Sequence, residues 1–460
     1  MMGGATSSSP VVHLAEHSCC PPSCGPIDAA PIKPMRPSER CLMIAFGSTL
    51  LVEDGYTVRV MMATRAVVEV QAGRAPAPVV LGFESLRSLL RRAAVRAAKR
   101  RITDLGALPL LVPLVPERMP GSYALNQWWA AIVIWIVCRL CDTGIVHAQS
   151  HAAAAAASRA LRHDRQRTLV FDVHGVDIEE RVLYGGLAEQ SGNHRLRTAN
   201  QRRAVARSDV VITVSRDLEM FVRGIAAEAP ESRPKRWESV PCVLSLADSD
   251  EDDDVIHEAA RRNMNLAGRP CVLYLGGSSG WQLPRATVAA FAEVLRQLPD
   301  AFFLILSGDR ETFERLCDEA GIPRTSRSIS SCPHREVTAR ASAADVALLL
   351  REDNIVNRVA SPTKFAEFLS MGIPVVITSV LVDFAALVRD HNVGVVVPGS
   401  NDPVAVATAM RCLLDDSPAD KQQRRRRCRE VCRDRLSFQS ILPTYRRIYR
   451  SDTPSRVGGV

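Results

Sequence analysis

The sequence predicts an α/β protein built from two doubly wound parallel sheets that follow each other along the chain. Short apolar runs alternate with helical segments in two series, and the Pro- and Asp-rich stretch 225–262 separates the two. The runs, such as Thr168–Val173 and Cys271–Leu275, are continuously apolar, which is typical of parallel strands buried on both faces. At 460 residues the chain is also longer than one ordinary domain. We therefore expect two domains that face each other across a cleft.

The alternation divides the chain into five segments. Residues 1–37 are rich in Ser, Pro, Gly and Cys and are expected to be an irregular leader without the basic start and apolar core of a signal peptide. The other segments are a first Rossmann-like domain at 38–245, a linker at 246–262, a second Rossmann-like domain at 263–436, and a helix at 437–460 that returns to the first domain. The acidic run 248–254 has no recognised metal-ligand spacing and is interpreted as a surface loop.

The first domain is predicted from its apolar runs and their flanking residues. Its elements are a helix from 38 to about 55, a strand at 56–61, an apolar helix at about 125–141, a strand at 144–147, an alanine-rich helix at 151–162, and strands at 168–173 and 209–214. An additional first strand at 10–14 stays open. Ser215 has the residue type and position of an N-cap for the next helix. The segment 128–141 is too short to span a bilayer, so we expect a buried helix there.

The second domain repeats the alternation more regularly. Its predicted strands are 271–275, 301–307, 326–330, 345–350, 374–378 and 394–397. Its predicted helices are 285–298, 311–320, 337–343, the helix after Ser361, 382–389, 403–415 and a long basic C-terminal helix. Because the loops after parallel strands project from one edge, ligands are expected at that edge, in the cleft.

Charge and cysteines restrict the classes of partner. The net charge is +8, and basic residues concentrate at 91–101, 195–207 and 424–435. Such clusters either bind polyanions or form solvated helix faces, and since no aromatic platform accompanies them, no nucleic-acid partner is expected. The thirteen cysteines show no secreted disulfide pattern, which favours reduced thiols and a cytoplasmic location. The basic C-terminal helix and the apolar segment 128–141 leave open a peripheral contact with the inner membrane face.

The stretch 361–377 carries the strongest local signal for an anion site. Ser361 is a good N-cap, and Pro362 occupies the first helical position, where its missing N–H costs nothing. The free N–H groups of that turn, the helix dipole and the Lys364 ammonium favour an anion. Glu367 lies one turn further along and can reach a group attached to that anion. A phosphate beside a hydroxyl-bearing sugar, as in a nucleotide, fits this arrangement.

A glycine-rich loop opens the second domain. Gly276, Gly277 and Ser278 follow the strand 271–275, and such small residues let backbone N–H groups approach a diphosphate closely. The spacing is neither that of a P-loop nor that of a dinucleotide fingerprint, so the pattern alone also fits an ordinary turn. Its expected place beside the turn at Ser361 indicates that the two form one clamp for a diphosphate.

Together these motifs resemble the donor domain of GT-B fold, retaining glycosyltransferases of the glycosyltransferase family 4 type (group 1). The resemblance rests on LYLGGSSG, on Ser307-Gly308 after a strand, and above all on SPTKFAEFLSMGIPVV, which is similar to the family block S-P-x-K-x-x-E-y-l-a-x-G-x-P-V-v. The first domain has looser counterparts, such as FDVHG at 171–175. The resemblance covers 140–400 well and hardly covers 1–130.

The resemblance implies transfer of a sugar from a nucleotide-diphosphate sugar to an acceptor with retention of configuration, without a metal or another cofactor. It implies that Glu367 accepts hydrogen bonds from the ribose, and that His174, at a strand end, contacts the sugar or stabilises the oxocarbenium-like transition state. The residues assigned to the donor diphosphate are Gly276, Gly277, Ser278, Arg285, Ser361, Thr363 and Lys364. The acceptor is a glycan, a lipid-linked sugar or a small molecule, and polysaccharide biosynthesis is the expected setting.

The chain departs from the family pattern at two points. The first Glu of the E-x7-E motif would fall at Val359, and the usual Arg and Lys after the glycine loop are not in place, so that Arg285 and Lys364 are the available substitutes. Two rival functions stay open. One is a GT-B sugar-nucleotide epimerase that acts on its donor without an acceptor, and the other is a catalytically impaired relative that only binds the nucleotide sugar.

Overall fold

The chain folds into two α/β lobes. The computed structural model describes residues 40–47, 50–52, 55–116, 119, 121–228, 236–245, 253–399 and 402–449. The predicted leader at 1–37 and the strand at 10–14 lie outside these residues.

The first lobe is a seven-stranded parallel sheet flanked by helices. Its strands are β1 (Arg40–Phe46), β2 (Val79–Ser85), β3 (Leu108–Leu114), β4 (Thr143–Gln149), β5 (Thr168–Val173), β6 (Val210–Thr213) and β7 (Arg236–Ser239). Its helices are α1 (Gly55–Gln71), α2 (Leu86–Leu89), α3 (Arg92–Asp104), α4 (Ser122–Leu140), α5 (His151–Ala160), α6 (Asp177–Leu183), α7 (Gly192–Arg207) and α8 (Arg216–Ala227). The strand order is β3-β2-β1-β4-β5-β6-β7, so the switch point at which such sheets bind ligands lies between β1 and β4.

The second lobe is a six-stranded parallel sheet of the same type. Its strands are β8 (Cys271–Leu275), β9 (Phe302–Leu306), β10 (Arg327–Ser330), β11 (Val346–Leu349), β12 (Val375–Thr378) and β13 (Gly394–Val397). The helices that follow β7 in the chain are α9 (Asp253–Asn263), α10 (Pro284–Gln297), α11 (Arg310–Glu319), α12 (His334–Ala341), α13 (Ile355–Arg358), α14 (Thr363–Ser370), α15 (Val382–His391), α16 (Pro403–Leu414), α17 (Pro418–Arg435) and α18 (Phe438–Tyr449). The order β10-β9-β8-β11-β12-β13 places the switch point between β8 and β11.

The predicted fold class, two doubly wound parallel sheets, is confirmed. Strands β5, β8 and β13 coincide with their predicted bounds, and Ser215 caps α8 by accepting a hydrogen bond from Leu218 N at 3.1 Å. The agreement is best where a strand is a short continuous apolar run between two helices. Such a run is too short for a buried helix and lacks the spacing of an amphipathic one, so only a buried strand fits it.

The start of the first lobe was predicted with its elements reversed. The predicted helix at 38–55 contains the central strand β1, and the predicted strand at 56–61 is the beginning of α1. Leu42 and Ile44 pack on one face of the sheet and Cys41 and Met43 on the other. A strand that is buried on both faces shows no polar alternation, so its sequence is easily mistaken for that of a buried helix.

The stretch 225–262, for which no regular element was predicted, contains strand β7 and nearly all of helix α9. One further prediction is corrected. Helix α4 begins at Ser122 and has 19 residues, and it is buried on one side only, with Trp128 and Trp135 about half exposed. The prediction of a buried helix at 128–141 is therefore wrong for its outer side.

The basic C-terminal region forms two helices that serve different lobes. Helix α17 packs against α14 of the second lobe, whereas α18 packs on α1 of the first. The chain changes lobes beside Leu244, whose N–H donates to Leu436 O at 2.9 Å and whose carbonyl accepts from Phe438 N at 2.8 Å. The core on the α1 side of the first sheet therefore contains residues from both parts of the chain, including Tyr445 and Tyr449.

Candidate active site

The glycine loop meets helix α14 at the switch point of the second lobe. Gly276, which follows β8, has φ +148°, and a Cβ there would collide with the Lys364 ammonium and lie 2.6 Å from Gln282 Oε1. Lys364 Nζ in turn donates to Gln282 Oε1 at 2.9 Å. Glycine is favoured at 276 because other residues rarely adopt this positive φ, and its lack of a side chain lets Lys364 and Gln282 approach the backbone. The structure thus brings together two residues, Gly276 and Lys364, that are 88 positions apart in the sequence.

Arg351 adds a second cation at the same place. It lies two residues after β11 and is only 7% exposed; its N–H donates to Thr378 Oγ1 at 3.2 Å and its guanidinium to Leu350 O at 3.1 Å. Burial, together with the charge of Arg351, lowers the pKa of Lys364 to about 8, while the charge of Glu367 acts in the opposite sense. Burial also lowers the pKa of Arg351. Two desolvated cations that repel each other favour an anion beside them.

Helix α14 begins one residue later than predicted. Pro362 holds the N-cap position and has no side-chain acceptor, and Ser361 Oγ accepts a hydrogen bond from Cys242 N of the first lobe at 2.9 Å. The predicted N-cap role of Ser361 is therefore wrong, and the residue links the two lobes. Thr363, the first helical residue, lies beside α1, with its Oγ1 4.0 Å from the position of a Cβ on Gly55. The amino end of α14 consequently faces the cleft.

Besides Ser361, two more of the residues assigned to the diphosphate have other partners. Ser278 donates from both its N–H and its hydroxyl to Asp309 Oδ2, at 2.6 and 2.9 Å, and these bonds lower the pKa of Asp309. Arg285 forms an exposed ion pair with Glu319 at 2.9 Å. Gly276, Lys364 and Arg351 lie together, and we call them the Lys364 group. Arg285 is not part of this group.

In the first lobe, His174 directly follows β5 at the sheet edge that faces the cleft. Its Nε2 lies 2.7 Å from Gln149 Oε1, and its ring centroid lies 4.9 Å from that of Tyr56, whose hydroxyl donates to Gln149 O at 2.7 Å. Burial lowers the pKa of His174 below its ordinary 6.5, although the Asp172 carboxylate acts against this shift. His174 is therefore neutral at pH 7, and with Nε2–H donating to Gln149 its Nδ1 keeps a free lone pair.

A chain of polar contacts connects His174 to α18. Gln149 Nε2 lies 3.1 Å from His147 Nε2, and His147 Nδ1 lies 2.5 Å from the Tyr449 hydroxyl. His147 and Tyr449 are both fully buried. Through these contacts His147 supports Gln149, the side chain that positions His174.

A buried ion pair lies behind the same residues. Arg59 of α1 donates to Asp172 at 2.9 and 3.3 Å, and its remaining N–H groups reach Val240 O at 2.7 Å and Pro241 O at 2.8 Å. Burial alone would raise the pKa of Asp172, but the charge of Arg59 and the neighbouring histidines lower it well below its ordinary value. A fixed carboxylate 3.6 Å from His174 Nε2 therefore helps to orient that ring.

Val359, where the family motif has its first Glu, lies in an apolar core. The side chain is 1% exposed and packs with the core of the first lobe, and its carbonyl accepts a hydrogen bond from Ser215 Oγ at 2.8 Å. A carboxylate at this position would be buried among apolar groups. Valine in place of the first Glu of the motif thus contributes a hydrophobic contact between the two lobes.

Two other contacts join the lobes across the cleft. The ring centroids of Tyr184, after α6, and Trp281, after the glycine loop, are 4.8 Å apart. Asp383 accepts a hydrogen bond from Arg216 N at 2.8 Å, at the amino end of α8, where the helix dipole favours a carboxylate. These contacts hold His174 and the Lys364 group on opposite sides of one cleft.

Sequence reasoning did not identify Arg351, Gln149 or Tyr56. Arg351 and Gln149 lie at or just after the carboxyl ends of β11 and β4, which are the strands at the two switch points. A search for polar residues at every predicted strand end would have found both. Tyr56 carries no such signal, because it was assigned to a strand instead of the start of α1.

The two lobes, with an anion-binding group at the switch point of the second, define the protein as one of GT-B architecture. A glycosyltransferase from Rickettsia africae shares the fold at a TM-score of 0.65 with 13% identity, covering 90% of this chain and 98% of its own. Anabaena HepE in complex with UDP-glucose gives 0.61 and 13%, over 89% and 99%. WaaG, a glycosyltransferase involved in lipopolysaccharide biosynthesis, gives 0.60 and 14%, over 89% and 100%.

The sequence also matches two family models. Residues 49–228 match Glycosyltransferase Family 4, and residues 269–416 match Glycosyl transferases group 1, so that together the matches span more than two thirds of the chain. No curated protein matches the sequence. The chain belongs to the group 1 glycosyltransferases, as the motif resemblance implied.

Proposed function

We propose that the protein transfers a sugar from a nucleotide-diphosphate sugar to an acceptor with retention of configuration and without a metal ion. The observation that carries this proposal is the desolvated pair of cations, Lys364 and Arg351, beside the backbone of Gly276 at the switch point. A diphosphate satisfies both charges, and the amino end of α14 adds the favourable end of a helix dipole.

Stabilisation of the departing nucleoside diphosphate is the main catalytic contribution in this proposal. Negative charge develops on the diphosphate as its bond to the sugar breaks, and Lys364 and Arg351 are already in place to neutralise it. Glu367, one turn after Lys364, accepts hydrogen bonds from the ribose. His174, neutral and fixed by Gln149, contacts the sugar from the opposite lobe.

Retention is inferred from the family resemblance and has a direct test. The anomeric configuration of the product, measured by NMR before it equilibrates, distinguishes retention from inversion. The metal requirement is tested by assaying turnover with and without a chelator.

The donor is the first unknown to determine. A thermal-shift assay with a panel of UDP-, GDP- and ADP-sugars identifies the nucleotide. UDP-sugars are tested first, because HepE was crystallised with UDP-glucose. Stabilisation by one nucleotide class, reduced in Lys364→Met, supports the proposed donor site. An absence of stabilisation by every member of the panel contradicts it.

Incubation of the selected donor without acceptor then separates the functions. Slow donor hydrolysis is expected for a transferase, isomerisation of the donor would identify an epimerase, and binding with no turnover under any condition would identify an impaired relative. The proposed acceptor is a glycan or a lipid-linked sugar in the cytoplasm, as in polysaccharide biosynthesis. Transfer assays with candidate acceptors of both kinds decide between them.

A further inference from the structure

Helix α4 presents a continuous row of large apolar side chains to solvent. The members of the row are 41–80% exposed and recur every three or four residues: Leu125, Trp128, Trp129, Ile132, Trp135, Ile136 and Leu140. This spacing places them all on one side of the helix. A soluble surface rarely shows so many large apolar groups together unless they bind something. We call this row the α4 face.

The opposite side of α4 belongs to the core of the first lobe. Ala130, Ile134 and Val137 pack in that core. Asn126 exchanges two hydrogen bonds of 2.9 Å with the backbone of Val115, and Gln127 donates to Ala152 O at 3.2 Å. By length and composition alone, α4 is the one helix among those described that could cross a membrane. Because its inner side is part of a folded core, it can lie on a membrane but not span it.

An arginine-rich turn borders the α4 face. Arg159 lies over the ring of Trp128 at 4.7 Å and Arg139 over that of Trp135 at 5.6 Å. With the exposed Arg162 and other residues of 159–167, they line an open groove of about 740 Å³. Among the residues lining this groove the single acidic one is Asp164, and it is paired with Arg167. The surface is therefore apolar along the helix and positive at its border.

We propose that the α4 face and the turn 159–167 form a docking surface for a bilayer that contains anionic phospholipids, with α4 lying in the plane of the membrane. Indole rings favour the interface between headgroups and acyl chains, and arginines at the same level pair with lipid phosphates. A symmetric dimer through this face would instead place a second copy of the same apolar and basic surface against it, which supplies no negative charge to the arginines. The charge of the border thus favours lipid over a second copy of the chain.

Docking in this way deepens the proposed function by indicating the class of acceptor. The amino end of α4 lies at the cleft side of the first lobe, where Tyr123 packs under Arg197 at 4.0 Å and Asn200 donates to the Tyr123 hydroxyl at 3.4 Å. The mouth of the cleft would then lie near the headgroups, within reach of a lipid-linked sugar. This step rests on the proposed function, whereas docking itself does not.

Vesicle binding of the full-length protein tests the docking surface independently of turnover. Sedimentation with vesicles of phosphatidylcholine alone is compared with sedimentation with an equal mixture of phosphatidylcholine and phosphatidylglycerol, and binding is expected to the mixture. Arg162→Gln/Arg165→Gln should weaken it by about 30-fold, because each arginine near an anionic surface contributes about a fivefold factor. Trp128→Ser/Trp135→Ser should weaken it at least about tenfold and remove any lipid-induced blue shift of tryptophan fluorescence.

The matched control uses the basic cluster of α3, which packs on the other side of the sheet. Arg96→Gln/Arg100→Gln removes two exposed charges without touching the α4 face and should change vesicle binding less than about threefold. A larger loss in the control than in the two α4-side variants overturns the proposal. So does a lack of binding by the wild-type protein, or self-association that the tryptophan variant abolishes. The melting temperatures of all variants are compared with that of the wild-type protein. Because the substituted residues are exposed, the substitutions should leave the melting temperature unchanged.

Discussion

Raising the pH is expected to weaken nucleotide-sugar binding because it removes the charge of Lys364. In the free protein, burial and Arg351 lower the pKa of Lys364 from 10.5 to about 8. A diphosphate beside the ammonium stabilises its charged form and raises the pKa towards the ordinary value. Binding above pH 8 is therefore linked to the uptake of one proton.

The size of the effect follows from the two pKa values. If the diphosphate restores the ordinary pKa of 10.5, the affinity at about pH 9.5 is roughly 20-fold lower than at about pH 7.5, which is about 1.8 kcal/mol of binding free energy. The free protein responds in the opposite direction. Since the folded pKa lies below the unfolded one, the contribution of Lys364 to the free energy of unfolding becomes more favourable as the pH rises from about 8 to 10.5.

Calorimetric titration with the bound nucleotide sugar measures this linkage. Performed in buffers of different ionisation enthalpy, it reports the proton uptake directly. Lys364→Met should lower the affinity at about pH 7.5 and remove the pH dependence, while Lys99→Met, an exposed lysine on α3, should preserve it. Arg351→Met should move the midpoint to higher pH, because it removes a repelling charge. A pH dependence that survives in Lys364→Met would refute the reasoning.

Three further substitutions separate turnover, binding and folding. His174→Ala should abolish turnover and leave the calorimetric affinity for the nucleoside diphosphate intact; a weakened affinity would place His174 in the nucleotide site instead. Glu367→Ala should raise the Kd at least about tenfold, because a hydrogen bond to a charged group contributes roughly 1.5–3 kcal/mol. Unchanged affinity would contradict the ribose assignment. Val359→Glu should lower the free energy of unfolding in urea by about 3–5 kcal/mol, as an unpaired buried charge does. The control Val359→Ile, which adds a methylene and no charge, should cost less, about 1–3 kcal/mol. A Val359→Glu protein of normal stability would show that this position is not packed as described.

The second lobe was the more predictable of the two for physical reasons. Strands β8 and β13 are short, continuously apolar runs, and each lies between two helices. Their bounds are therefore visible as the change from the helical pattern to the apolar run and back. Strand β3, with the sequence LPLLVPL, was not predicted, and its two prolines are unfavourable in most strands. Its place at the edge of the sheet explains the prolines, since an edge strand can leave some N–H positions unpaired. Edge position depends on the order of all strands in the sheet, so it cannot be predicted from the sequence of the segment alone.

The same distinction applies to the site. Lys364 and Glu367 share one helix turn with a recognisable pattern around it, so their common placement is predictable. Arg351 joins them only because β11 is the neighbour of β8, and Ser361 reaches Cys242 only because the lobes meet there. The capping rule uses only the local sequence. It failed at Ser361 because the Oγ of this residue accepts a hydrogen bond from Cys242 N of the other lobe and not from an N–H of the helix.

The return of α18 to the first lobe has a consequence for how the protein is made. Tyr445 and Tyr449 complete the core beside Arg59 and Asp172, and α18 covers a side of α1. All strands of the second lobe are synthesised before α18 leaves the ribosome, whereas the first lobe must wait for it with apolar surface uncovered. The lobe that is translated first is therefore finished last, and until then it is the part of the nascent chain that chaperones and proteases meet.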